Sequence, residues 1–279
     1  MHNADDAAPT NLIDRPDDPA PQRVARATAR ARAAQRDWLA SGVDARIRVI
    51  ARARRRLFER RVDVAEAISR ETGKPVAEAL VAEVVTVLDM LRFVERVAPE
   101  FMRTSWFSSA SLALWRKRFS VAREPHGVVG VISPWNYPFM LPAGQAVSAL
   151  ATGNAVVLKP SELTPACGDL LANLFREAGA PAGVLEVVHG DGAVGSALVD
   201  GGVDKVFFTG SVATGSPGGE PMRRAPRALR AGTGRQRPGD RARRRRRGAR
   251  CPGHRVGSLC ERGPDVRGAK AGLCAERGA

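Results

Sequence analysis

Between Gly127 and Phe208 the chain alternates short apolar runs with helical patterns. The runs are Gly127–Ser133 (GVVGVIS), Asn154–Leu158 (NAVVL), Val184–His189 (VLEVVH) and Asp204–Phe208 (DKVFF). All four are short, and Gly127–Ser133 is fully apolar, as a strand covered from both sides must be. Residues 138–152, 165–178 and 191–200 lie between them and carry helical patterning. Strand, helix, strand in repetition predicts an α/β fold with a doubly wound parallel sheet. Binding sites in such sheets sit at the C-terminal ends of the strands.

The chain before this unit reads differently. Residues 1–22 are acidic and Pro-rich, and read as a disordered arm. Residues 23–102 read as helical. Ile47, Ile50, Leu57 and Phe58 recur at helical spacing with Arg opposite. Asp63 is placed to cap a helix ending at Gly73, ahead of Pro75. Residues 76–101 form one long amphipathic pattern, with Leu80, Val84, Val87, Leu88, Leu91 and Val94 on one side. Phe119 to Arg123 alternates like a strand.

The last quarter sets the opposite limit. The chain carries +15 overall, but residues 216–279 hold 17 Arg and one Lys against five Asp or Glu, leaving only about +2 for the rest. That tail has no Ile, Phe, Tyr, Trp or Asn. It cannot bury enough apolar area to offset the entropy of ordering it, so a disordered basic tail is expected. The domain reading is therefore an arm at 1–22, a nucleotide-binding unit at 23–215 and a tail at 216–279.

Three motifs at the predicted strand ends carry chemistry. Ile132-Ser133-Pro134-Trp135-Asn136-Tyr137-Pro138 follows the first apolar strand. Two prolines stiffen it, and Asn136 offers a neutral amide donor suited to a developing oxyanion. Lys159-Pro160-Ser161-Glu162 follows the second strand, where a Lys and a Glu three apart can hold ribose hydroxyls. Phe208-Thr209-Gly210-Ser211 follows the fourth. Gly210 permits close backbone approach there, and Ser211 with the free N–H groups beyond it suits a pyrophosphate. Gly192 and Gly195 open a helix near the same edge. Each motif alone has an equally good structural explanation: a turn Asn, a solvated ion pair, an N-cap Ser. No GxGxxG is present, and no Cys or His spacing suggests a metal site.

Their order is far more specific than any one of them. ISPWNYPF, KPSELTP, GDGAVG and FTGSVATG, in this sequence and all at strand ends, resemble the aldehyde dehydrogenase superfamily over roughly residues 22–215. The resemblance implies oxidation of a small aldehyde to an acid with NAD, NADP being possible. It implies Asn136 as oxyanion donor, and Lys159, Ser161 and Glu162 around the adenosine ribose. Gly210 and Ser211 would lie at the pyrophosphate, with Phe208, Thr209, Gly192 and Gly195 beside it. Ile132, Ser133, Pro134 and Trp135 would line the cofactor cleft. Glu162 favours NAD, since a carboxylate repels a 2′-phosphate.

The family pattern also requires a Glu base in an E-L-G-G segment and a Cys nucleophile in a G-Q-x-C segment. Neither occurs here. Cys167 lies in a helical stretch, and Cys251, Cys260 and Cys274 lie in the tail. The genetic code accounts for the loss. Shifted by one base, the codons from the Gly232–Thr233 junction can spell E-L-G-G-N-D-P-G-I-V-L-A-D-A-D-V-E-R-A-A. Those from Glu261 to Arg267 can spell N-A-G-Q-T-C, and those from Lys270 onward K-R-V-Y-V. Both missing segments return in order in one frame, 34 codons apart. A frameshift near codons 214–216 is therefore expected, and with it an inactive chain.

Two other functions compete. Five consecutive Arg residues, 243–247, would hold nucleic-acid phosphates, but no aromatics interleave for stacking. The frameshift explains both the Arg run and the missing motifs, so no specific nucleic-acid partner is expected. The other rival is a non-catalytic dinucleotide-binding fragment. With no signal-like start and no long apolar run, the expectation is a cytoplasmic protein without a membrane partner. Intact relatives are expected to be homo-oligomers, and this chain is not.

Overall fold

The computed structural model describes residues 18–108, 118–210 and 229–233. The helical front comprises α1 (Ala20–Ala40), α2 (Gly42–Glu59), α3 (Arg61–Thr72) and α4 (Val76–Ala79). A π-helical turn (Leu80–Val85) then runs straight into α5 (Thr86–Phe101). Helix α1 starts earlier than the arm reading allowed, so Ala20–Gln22 are helical. Pro21 stands in its first turn, where a missing N–H costs nothing. Asp63 does not cap α3. The helix begins at Arg61, and Asp63 lies within its first turn, where its charge still opposes the helix dipole. Gly73 closes α3 in the left-handed region at φ 71°, where a side chain would be strained.

A hairpin follows. β1 (Ser105–Ser108) pairs antiparallel with β2 (Arg118–Val121), and Phe107 stacks on Phe119 with ring centroids 5.8 Å apart. The sequence reading caught β2 but not β1.

The rest is the expected parallel sheet. In chain order it runs β3 (Val128–Ile132), α6 (Met140–Ala151), β4 (Ala155–Lys159), α7 (Pro165–Glu177), β5 (Leu185–Val187), α8 (Gly192–Asp200) and β6 (Lys205–Gly210). A last strand, β7 (Leu229–Thr233), pairs parallel to β6, giving the order β5-β4-β3-β6-β7. β7 corrects the reading of 216–279 as wholly unstructured. The outer edge of β6 presents backbone N–H and C=O groups that any extended segment can satisfy, whatever its side chains. The remainder of the tail, like residues 1–17, lies outside the described residues.

Alternating side chains give the sheet two faces. Val129, Val131, Val156 and Leu158 join Ile50, Leu57, Ile68, Leu91, Leu150 and Phe175 in one core beneath α2, α3, α5, α6 and α7. Val128, Ala155, Val157, Val206 and Phe208 join Val24, Ala27, Val194 and Leu198 in a second core beneath α1 and α8. Gly130 faces that second core, and a Cβ there would come within 3.3 Å of Leu198 and Val203. Burial of each large aliphatic contributes about 1.5–3 kcal/mol, so both cores hold the strand ends in place. Among the described residues no helix is long and apolar enough to cross a membrane.

Candidate functional site

The chain runs outward from β3 through β4 to β5. It then returns by α8 to β6 on the other side of β3. The crevice of such a sheet opens at this reversal, beyond the C-terminal ends of β3 and β6. Ile132 and Phe208 are register partners there. Every described residue singled out from the sequence lies along this edge: Ile132–Asn136 after β3, Lys159–Glu162 after β4, Gly192 and Gly195 in α8, and Phe208–Gly210 at the end of β6. Ser211 lies outside the described residues.

Lys159 and Glu162 form a pair, Nζ to Oε2 at 3.2 Å. The Lys side chain is only 5% exposed and that of Glu162 57% exposed. The carboxylate thus stands at the rim while the ammonium sits below it. Glu162's own backbone N–H, and then Lys159, hold its pKa below the usual Glu value. Ser161 is buried, and its hydroxyl accepts from the Leu163 N–H at 3.3 Å, which makes the turn. Gly195, in the first turn of α8, stands over Ile132 and Lys159, each 4.0 Å from where a Cβ would be. At Gly192 a Cβ would meet nothing within 4 Å, so this stretch borders open space.

The loop after β3 is anchored at several points. The Ser133 N–H donates to the Lys159 carbonyl at 3.1 Å. Trp135 is 57% exposed. Asn136 Oδ1 accepts the Tyr137 N–H at 3.1 Å, as a turn Asn does, which leaves Nδ2 as the end of the amide not committed to the turn. The Asn136 carbonyl accepts from Lys74 Nζ at 2.6 Å. Thr209 is tied to α6, its Oγ1 accepting from Gln145 Nε2 at 3.0 Å.

Two helix N-termini near the edge are already taken by carboxylates. Asp191 accepts the Ala193 N–H at 2.9 Å and caps α8. Glu71, reaching from α3, accepts the Ala166 and Cys167 N–H groups at 2.8 and 2.9 Å and caps α7. Cys167 is fully buried, and burial followed by the nearby Glu71 pushes its thiol pKa far up. It is no nucleophile in this state.

A dinucleotide fits this edge on observations of the chain itself. Among the buried side-chain oxygens of the described residues that lack a hydrogen-bond partner, which include Thr28 Oγ1 and Thr164 Oγ1, are Ser133 Oγ and Gln145 Oε1. Buried polar atoms of this kind cost free energy unless something satisfies them. Ser133 and Gln145 lie at one strand-end edge with the exposed Glu162 carboxylate and the open space at Gly192. Gln145, Lys74 and Glu83 were not singled out from the sequence. Glu83 did leave a signal, since it falls three residues after Leu80 and four before Val87, on the apolar stripe of the long helix.

A model of the aldehyde dehydrogenase family matches residues 6–220. The 4,4'-diapolycopene aldehyde oxidase of Methylomonas sp is 40% identical over 178 residues, which is 64% of this chain and 34% of that protein. The NAD-dependent benzaldehyde dehydrogenase structure from Corynebacterium glutamicum superposes with a TM-score of 0.68 at 34% identity, covering 77% of this chain and 46% of that one. The NADP complex of NADP-dependent glyceraldehyde-3-phosphate dehydrogenase from Bacillus halodurans gives a TM-score of 0.69 at 31% identity, covering 75% and 44%. The chain spans about a third of the curated relative and less than half of either solved relative.

Proposed function

The chain belongs to the aldehyde dehydrogenase family, and on that premise we propose that residues 23–215 are the dinucleotide-holding part of an NAD(P)-dependent aldehyde oxidation site whose reacting half is missing. The observation that carries the reading is the meeting of the PWN, KPSE and FTG segments at the reversal point of one sheet. Glu162 accepts hydrogen bonds from ribose hydroxyls, steadied by the Lys159 ammonium beneath it. Ile132 to Trp135, with Phe208 to Gly210, line the cleft between the two strand ends. Gly192 and Gly195 leave room along α8. When bound, the nicotinamide supplies a hydride acceptor. Asn136 offers its Nδ2 to the oxyanion that forms on an aldehyde under attack. NAD is preferred, and NADP is disfavoured by the charge of Glu162.

As a 279-residue chain the protein does not turn over aldehydes. The tail holds Arg-rich sequence where the family pattern has E-L-G-G and G-Q-x-C, because its frame is displaced by one base near codons 214–216. Calorimetric titration of the full chain tests both halves of the reading. NAD should bind with measurable heat, and a panel of aldehydes should give no NADH. Absence of heat at millimolar NAD would end the cofactor reading. Turnover above that of a variant with all four cysteines replaced would end the account of inactivity.

A further inference from the structure

The helical front reaches the site through two residues that the family reading does not use. Lys74 stands between Gly73 and Pro75. Its N–H donates to Thr72 Oγ1 at 3.3 Å and its carbonyl accepts the Ser69 hydroxyl at 2.6 Å, so its backbone is held on both sides. Glu83 lies in the π-helical turn and is 0% exposed. A π turn admits one extra residue and is frequent at functional positions. Here it carries a carboxylate into the apolar core, where a lone charge would be costly. The charge is met on every side. Glu83 Oε1 accepts from Lys74 Nζ at 2.5 Å, and Oε2 accepts the Phe139 and Met140 N–H groups at 2.9 and 3.3 Å. Lys74 Nζ also donates to the Asn136 carbonyl at 2.6 Å and lies 4.2 Å from the centre of the Tyr137 ring.

We propose that Lys74 and Glu83 are positioning residues that clamp the loop from Asn136 to Met140, Lys74 fixing the main chain at Asn136 and Glu83 fixing the start of α6. The proposal rests on the reading of Asn136 as oxyanion donor and extends it. The amide of Asn136 can serve a developing negative charge only if its backbone is held before reaction, since preorganisation is what gives such a donor its value. Both ends of the five-residue loop are tied to one ion pair, so the loop and the pair move together. A helix–helix contact alone would not require the ammonium to reach a loop carbonyl.

The test uses the full chain labelled with fluorotryptophan and needs no cofactor. Trp135 adjoins Asn136. Trp38, whose indole N–H donates to the Leu150 carbonyl at 2.9 Å, reports on the core. The double variant Lys74→Met/Glu83→Gln removes both charges and keeps an acceptor for the Phe139 and Met140 N–H groups. We expect its Trp135 fluorine resonance to move and amide exchange across 135–137 to rise roughly tenfold, the loss of one charge-assisted hydrogen bond. The Trp38 resonance and the exchange of α6 beyond its first turn should stay as in the parent. Should the double variant not fold, Glu83→Gln, which leaves no unpaired carboxylate in the core, is read at the Phe139 and Met140 N–H groups, whose exchange should rise. A folded variant with Trp135 and loop exchange unchanged overturns the clamp, as does a Trp38 shift equal to that of Trp135. NAD titration of the parent chain is scored separately. A parent that binds no NAD while its variants lose loop order supports the clamp and sinks the cofactor reading alone.

Discussion

Glu162→Gln should change which dinucleotide the chain prefers. The carboxylate is 57% exposed and pairs with Lys159 Nζ at 3.2 Å. A hydrogen bond to a charged acceptor contributes about 1.5–3 kcal/mol, and exposure places this one at the lower end. Loss of the charge should therefore weaken NAD binding roughly tenfold. For NADP the same change removes a repulsion and frees the buried ammonium of Lys159 for a 2′-phosphate, so NADP binding should hold or improve. The ratio of the two dissociation constants should shift by about tenfold or more. The pH profile follows from the depressed pKa of Glu162. Its ionised form is favoured in the folded chain. Its contribution is complete above the ordinary value of 4.5 and is lost as pH falls through the lower folded value. NAD affinity in the parent should thus be flat from about pH 8 to about pH 5, with the decline confined to more acid solution. Calorimetric titration of both dinucleotides into parent and variant measures the ratio directly. A variant that keeps the parental ratio within about twofold refutes the role of this carboxylate.

Three further outcomes test the scaffold. Gly190→Ala should lower stability by about 1–3 kcal/mol, because Gly190 sits at φ 138° and a Cβ would lie 2.4 Å from Val194 Cγ2. An unchanged thermal midpoint would show that the turn before α8 is not strained by a side chain. Leu91→Ala, at a fully buried position on α5, should cost about 2–5 kcal/mol in urea denaturation. A loss under about 1 kcal/mol would mean that α5 does not pack as described. Glu71→Ala should cost about 0.5–2 kcal/mol and raise amide exchange at Ala166 and Cys167, the two N–H groups it caps. Equal exchange there would remove its capping role.

Much of the sheet was legible because both its faces are covered. GVVGVIS and NAVVL read as strands since they are short, β-branched apolar runs bounded by turn residues, too short for a buried helix. The ends were legible too, since Gly, Pro and polar residues gather where backbone must turn. β1 was missed because Ser105–Ser108 places its aromatics on exposed positions, with no apolar face to mark it. β7 was missed for a different reason. Its sequence, Leu-Arg-Ala-Gly-Thr, lies in the Arg-rich stretch and carries no apolar strand pattern. The candidate residues after β3, β4 and β6 were picked out by motif order. Lys74 and Glu83 were not, because a Lys after a helix-ending Gly reads as a solvated charge. Only the fold shows that it reaches Asn136, 62 positions along the chain. Asp63 looked like a cap because an acid near a helix start serves either as cap or as first-turn charge, and spacing does not separate the two.

The central claim is that a dinucleotide cradle is followed by coding sequence read one base out of register. The DNA of this chain tests it most directly. For the displaced frame to spell glutamate at the Gly232–Thr233 junction, Gly232 must be encoded by GGA. For it to spell cysteine at Val266, that codon must be GTG, followed by an Arg codon beginning with C. Sequencing should find both spellings. Any other codon at either position contradicts the account.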